Sequence, residues 1–216
     1  MPPQPPKTAP LEFETALWEQ GCLRVFGIDE AGRGAWAGPV VAAAVCLPHD
    51  HADLHHLFRG VNDSKQLTPP LRESLALQVQ AHTAHWAVGE ASNEEIDALG
   101  IVPATMLAMR RAMDAICNDG CTPDHLLLDA LRWNYHNTPF TPLIKGDSRS
   151  LSIAAASILA KVHRDHLMIA LNEQYPGYSF AEHKGYGTGQ HQQALDHLGP
   201  SPIHRRSFAP IRARLF

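Results

Sequence analysis

A short apolar run, Arg24-Val25-Phe26-Gly27-Ile28, ends in two adjacent carboxylates, Asp29 and Glu30, and then in the glycine-flanked arginine of Ala31-Gly32-Arg33-Gly34. Apolar runs of this length read as buried strands, and a strand that ends in acids delivers them to the sheet edge, where α/β proteins collect their sites. Carboxylates there can hold a hard divalent cation. Gly32 and Gly34 let the backbone bend and come close to a ligand, while Arg33 offers planar donors suited to a phosphate. The combination points to metal-assisted chemistry on a phosphodiester. An Asp-Glu pair after a strand also serves as a helix N-cap and first-turn acid, so other acids in equivalent settings have to decide between the two.

Such acids occur further along. The pattern predicts a short helix over 13–20, a strand over 25–29, and a second over 38–47, where Val40-Val41-Ala42-Ala43-Ala44-Val45 lies between Gly-Pro and Pro48. These two are expected to pair antiparallel. A helix over 69–80 follows Thr68, with prolines at its start. A third strand is expected over 85–91, then helices over 93–99 and 103–117. In the second of these, Met106, Met109 and Met113 recur at helical spacing, which marks a core face. Strands over 125–129 and 142–147 each end in an acid, Asp129 and Asp147, and a long helix runs over 152–171.

Three strand ends thus carry Asp29-Glu30, Asp129 and Asp147. In one mixed sheet they can converge, and a cluster of this kind can hold two divalent ions about 3.5–4 Å apart, serving the attacking water and the leaving oxygen together. Oxygen ligands favour Mg2+ or Mn2+. Consecutive residues of a regular strand face opposite ways, so Asp29 and Glu30 share one site only where the chain bends, for which Ala31-Gly32 is the candidate. Taken singly, Asp129 also suits a strand-end turn and Asp147 a helix N-cap.

With 216 residues and 44% hydrophobic side chains, the chain suits one large domain with a sizeable core. The expected division is a Pro-rich, partly disordered leader over 1–20, a catalytic core over 21–172, and a helical substrate-binding part over 173–216. The leader has no apolar stretch of the secretory kind, and a cytoplasmic location is expected. No run approaches the length needed to span a bilayer. Cys22, Cys46, Cys117 and Cys121 lack paired metal-ligand spacing, and the 14 histidines fall on ordinary helical or loop text, which leaves zinc a weak candidate. The net charge of −4 speaks against a strong nucleic-acid binder, yet from Lys145 onward nine Lys and Arg stand against five Asp and Glu.

The residues now in view resemble a known family. Gly27-Ile28-Asp29-Glu30-Ala31-Gly32-Arg33-Gly34, followed by Ala37-Gly38-Pro39-Val40-Val41-Ala42-Ala43-Ala44-Val45, is similar to the first signature of the ribonuclease HII family. The similarity continues through Asn62-Asp63-Ser64-Lys65, Leu127-Leu128-Asp129, Lys145-Gly146-Asp147, the 157–165 stretch, His183-Lys184-Gly185-Tyr186-Gly187-Thr188 and His204-Arg205-Arg206-Ser207-Phe208. It implies a ribonuclease H-like α/β fold, a mixed central sheet flanked by helices with a small helical C-terminal part.

It further implies cleavage of the RNA strand of RNA/DNA hybrids and nicking at a lone ribonucleotide in duplex DNA, leaving 3′-hydroxyl and 5′-phosphate ends. The implied metal ligands are Asp29, Glu30, Asp129 and Asp147, with Mg2+ or Mn2+ as cofactor. The implied reader of the RNA-to-DNA junction is Gly32-Arg33-Gly34, with Tyr186 stacking on a deoxyribose. Backbone groups bared by glycine can both donate to and accept from a 2′-hydroxyl, which suits that role.

Ser64 and Lys65 are expected on phosphate, or else as caps of a loop. Lys161 and Arg164 are expected to face the nucleic-acid backbone or to snorkel over the core, and Lys184 and Arg205 are weaker candidates for the same role. Ala35-Trp36 stands where the family often has Pro-Leu. The C-terminus shows no clear sliding-clamp motif, no membrane partner is expected, and a monomer is. The rivals are a DNA nuclease built on the same acids and a non-catalytic hybrid-binding module; a P-loop kinase lacks its glycine-lysine element.

Overall fold

The run from Val25 becomes the central strand of a five-stranded sheet. The computed structural model describes residues 7–215. In chain order these form α1 (Glu12–Glu19), β1 (Val25–Ala31), β2 (Val40–Cys46), α2 (Leu54–Leu57), α3 (Pro69–His82), β3 (His85–Ala91), α4 (Asn93–Leu99), α5 (Ile101–Asn118), β4 (His125–Asp129), β5 (Phe140–Leu143), α6 (Leu151–Gln174), α7 (Phe180–His183), α8 (Gly189–Leu198) and α9 (Ala209–Arg212). The sheet order is β3-β2-β1-β4-β5. β1, β2 and β3 form an antiparallel meander, whereas β4 lies parallel to both β1 and β5. This is the mixed α/β architecture that the resemblance implied.

Alternation along the strands splits the core in two. Val41, Ala43 and Val45 bury against α6 and α3, while Val40, Ala42, Ala44 and Cys46 bury against α5. Small residues in β2 let the helices come close. On β1 a methyl group at Gly27 would lie 2.2 Å from the Ser152 carbonyl carbon, so the first turn of α6 rests on the strand itself. Met109 and Met113 of α5 are fully buried, as the methionine spacing predicted.

The strand predicted over 142–147 is corrected. β5 stops at Leu143, and Gly146–Ser148 is a 3-10 turn entered through Lys145 at φ 56°. Asp147 therefore sits in a turn before α6, not at a strand end. Pro142 falls on an edge strand, where the missing N–H is tolerated.

Residues 8–20, counted with the leader in the sequence, are tied into the body; the leader's residues 1–6 lie outside the described residues. Ala9 N–H donates to Val61 O and Leu151 N–H to Pro10 O, both at 2.9 Å. From α1, the buried Glu14 accepts from Ser150 Oγ at 2.6 Å and from the Ser152 N–H at 2.9 Å, securing the start of α6. The expected boundary at 172 falls inside α6, which continues to Gln174. Beyond it, Tyr178, Phe180, Leu195, Ile203 and Ile211 form a small core of their own with Ala37 and Met168. No helix among the described residues is long and apolar enough to cross a membrane.

Candidate metal centre and nucleic-acid interface

Parallel pairing brings Ile28 of β1 level with Leu128 of β4. One residue further, Asp29 and Asp129 are neighbours on the same face of the sheet, the face covered by α6. Asp147 reaches them from its 3-10 turn. One carboxylate oxygen from each of the three lies within 4.8 Å of the others. The Gly146 N–H donates to Asp129 Oδ1 at 2.7 Å, which locks the Asp147 turn onto β4, and the Glu30 N–H donates to Asp29 Oδ1 at 2.7 Å.

Glu30 enters differently. Pairing with β2 runs on through Ala31 and Val41, so β1 does not bend between Asp29 and Glu30, and the two carboxylates leave the strand on opposite faces. Being at the strand's end, Glu30 still lines the same cleft of about 230 Å3. Its Oε1 accepts from Arg33 Nη1 at 3.2 Å, while Oε2 is buried with no partner.

The electrostatics express crowding. Burial first, then the charges of Glu30, Asp129 and Asp147, hold the Asp29 carboxyl well above its ordinary value. Burial likewise raises Glu30, against the opposing pull of Arg33, and raises Asp147, with Asp63 adding to it and Lys65 opposing. Lys65 Nζ stands 3.3 Å from Asp147 Oδ2. An all-oxygen donor set, an orphaned buried carboxylate oxygen and this excess of negative charge fit a hard divalent cation. Among the described residues no other group of His, Cys, Asp and Glu is gathered closely enough to hold a metal, and the four cysteines are free.

Ten of the residues singled out in the sequence meet in this cleft: Asp29, Glu30, Gly32, Arg33, Gly34, Ser64, Lys65, Asp129, Lys161 and Tyr186. Asp147 joins through its carboxylate. Lys184 does not line the cleft; its ammonium donates to Ala181 O, and its carbonyl is held by Arg164. Arg164 itself corrects the expectation of a backbone contact. It is 0% exposed, and its guanidinium is spent on the carbonyls of Pro39, Lys184 and Ala37 at 2.9–3.0 Å. A group so enclosed cannot reach a phosphate. A methyl at Gly32 (φ 92°) would lie 2.0 Å from Arg164 Nε, so the glycine loop is laid directly on this arginine. The Tyr186 ring covers it from the other side, 5.5 Å from Cζ.

Sequence reasoning took Arg205 only as a weaker candidate for the nucleic-acid backbone and missed the other residues that carry these loops. Arg205, fully buried, donates to the carbonyls of Arg33, Gly38 and Pro39, and burial lowers its pKa to about 9. Arg72 ties Ser64 O and Leu67 O to α3 and faces Asp165 at 3.5 Å. Two buried histidines support Tyr186: the Gly185 N–H donates to His183 Nδ1, and His191 Nδ1 donates to Tyr186 O. The signal available was the run of histidines and arginines in 183–206, which in sequence resembles a phosphate-facing surface.

Comparison with known proteins agrees with this geometry. The family model described as ribonuclease HII matches residues 26–211. The curated ribonuclease HII of Myxococcus xanthus (strain DK1622) is 51% identical over 206 residues, covering 95% of this chain and 68% of its own. That of Chloroflexus aurantiacus (strain ATCC 29364 / DSM 637 / Y-400-fl) is 50% identical over 201 residues, 93% of each chain. Among solved structures, ribonuclease H2 from Pyrococcus horikoshii OT3 superposes with a TM-score of 0.70 at 25% identity, over 88% of this chain and 96% of that one. Ribonuclease HII of Archaeoglobus fulgidus, solved in complex with PCNA, gives 0.69 at 25% identity, over 85% and 94%. A match across nearly the whole sheet and its acidic cleft means that the chain belongs to the ribonuclease HII family and is a metal-dependent ribonuclease H.

Proposed function

We propose that this ribonuclease H cuts the RNA strand of RNA/DNA hybrids and also nicks on the 5′ side of a single ribonucleotide embedded in duplex DNA, leaving 3′-hydroxyl and 5′-phosphate ends. The observation that carries this is the placement of two different kinds of chemistry in one cleft. Asp29 and Asp129, with Asp147 beside them, meet in the cleft that the Gly32-Arg33-Gly34 loop and Tyr186 also line.

Asp29, Glu30, Asp129 and Asp147 are the residues that would hold Mg2+ or Mn2+, which when bound supplies positive charge for the attacking water and the leaving 3′-oxygen. The protein's part is alignment. Arg33, half-exposed beside Glu30, is available to a phosphate oxygen, and the exposed Lys65, paired with Asp147, supplies a second cation beside the acids. Gly34, with open space around it, lets the main chain meet a ribose 2′-hydroxyl. Tyr186, backed by Arg164 and with Lys161 5.9 Å from its ring centre, offers a flat face to a sugar that lacks that hydroxyl.

Three end-labelled duplexes test the assignment in Mg2+ or Mn2+: all-DNA, DNA with one ribonucleotide, and a full hybrid. Cleavage of the last two alone, with the lone ribonucleotide cut on its 5′ side, is the expected result. Cleavage of all three would mean a general nuclease, and cleavage of the hybrid alone would remove the junction role from Tyr186 and the glycine loop.

A further inference from the structure

The indole of Trp36 has a defined seat between the two loops. The Ala35 N–H closes the glycine-arginine-glycine turn onto Gly32 O at 3.2 Å, and the Trp36 N–H donates to Gly185 O at 2.8 Å. On the far side, a methyl at Gly187 would lie 2.0 Å from Trp36 Cζ2 and 2.2 Å from Cε2. Gly187 is not in the left-handed region, so it is the indole, not the backbone, that demands glycine there. The ring also lies 5.5 Å from that of His191, whose Nδ1 holds the Tyr186 carbonyl.

One side chain, two residues after Gly34, is thus wedged against the residue that follows Tyr186. The main chains on either side are fixed from below by Arg205 on Arg33 O and by Arg164 on Lys184 O, each at 2.9 Å. With both floors fixed and the main chains joined at Gly185, the indole is the spacer beyond that junction, where the loop continues through Tyr186 and Gly187. We infer that Trp36 is a positioning residue that sets the distance between the Gly32-Arg33-Gly34 loop and Tyr186, and so the register in which a step from ribonucleotide to deoxyribonucleotide is accepted. The inference rests on the proposed reading that these two loops face opposite sides of that step.

Displacement of a reading group by about 1 Å costs up to about a hundredfold in rate, so a loosened spacer tells most where both loops are read at once. The measurement is kcat/KM on duplex DNA with one ribonucleotide divided by kcat/KM on a long hybrid, for the wild type, W36A, W36F, G187A and Y186A, with a melting curve for each. W36A is expected to lower that ratio about tenfold, with the fall in kcat exceeding the rise in KM, and W36F to restore most of it. G187A, which pushes the indole without removing it, is expected to shift the ratio the same way and serves where W36A melts too low to assay. A ratio unchanged in W36A and G187A but lowered in Y186A overturns the spacer role, as does an equal loss on both substrates. A ratio unchanged in Y186A overturns the junction reading itself, and the inference falls with it.

Discussion

Asp129 accepts the Gly146 N–H and also contributes an oxygen to the trio with Asp29 and Asp147, so Asp129→Asn keeps the acceptor and removes the charge. Turnover on a hybrid should then fall by about two to three orders of magnitude, with KM changed little and folding intact by circular dichroism. Full activity at saturating Mg2+ would remove Asp129 from the metal set. Gly34 asks the complementary question. A methyl there meets nothing within 4 Å, so Gly34→Ala should change unfolding free energy by no more than about 0.5 kcal/mol while weakening hybrid binding. Unchanged affinity in a direct binding assay would show that the main chain at 34 does not approach the substrate. The acids were legible because each closes an apolar run or a tight turn. Arg164 was not, since nothing in a helical Lys161-Val162-His163-Arg164 stretch tells whether a long cationic side chain ends in water or on carbonyl groups of distant loops.

At the scale of elements, hydrophobic period gave β3, α4 and β4 with their bounds, whereas the stretch after β5 was misread as strand. Apolar text there continues through Ile144, but Ile144 is 76% exposed, and the chain leaves the sheet because Lys145 turns left-handed and the Gly146 N–H is taken by Asp129. Only a partner seventeen residues away decides that, and local pattern carries no record of it. The contact between β1 and α6 is likewise tertiary. Gly27 is open to no side chain, because a methyl would lie 2.2 Å from Ser152 C and 2.3 Å from Ile153 N, both main-chain atoms that cannot rotate away. Gly27→Ala should therefore cost about 1–3 kcal/mol in urea unfolding, through displacement of α6 from the strand that carries Asp29. A loss below about 0.5 kcal/mol would mean that the helix shifts without strain.

Across the whole molecule, the basic surplus after Lys145 is partly an interior feature, since Arg164 and Arg205 hold loops together instead of facing solvent. The same C-terminal region buries a neutral histidine relay. His191 Nδ1 donates to Tyr186 O, so its Nε2 accepts from His204 Nε2 at 2.9 Å, and His204 Nδ1 in turn accepts from the Ser201 N–H at 2.9 Å. Each ring has both nitrogens engaged, and protonating either would put two donors face to face. Burial accordingly pushes both rings from the ordinary 6.5 down to about 4. The unfolded chain takes up these protons as pH falls through 6.5, while the folded chain takes them up only near 4. Stability from the relay is thus complete above about pH 6.5 and is lost progressively down to pH 4, at about 1.4 kcal/mol per unit of depression. Urea unfolding of wild type and His204→Asn at matched pH values isolates this contribution, because the crowded carboxylates are common to both chains. The variant should be less stable at pH 7.5, and the gap should narrow toward pH 4. A gap of constant size would mean that His204 takes up its proton at the same pH in the folded as in the unfolded chain, and the ring would then not be held neutral between His191 and Ser201 beneath Tyr186.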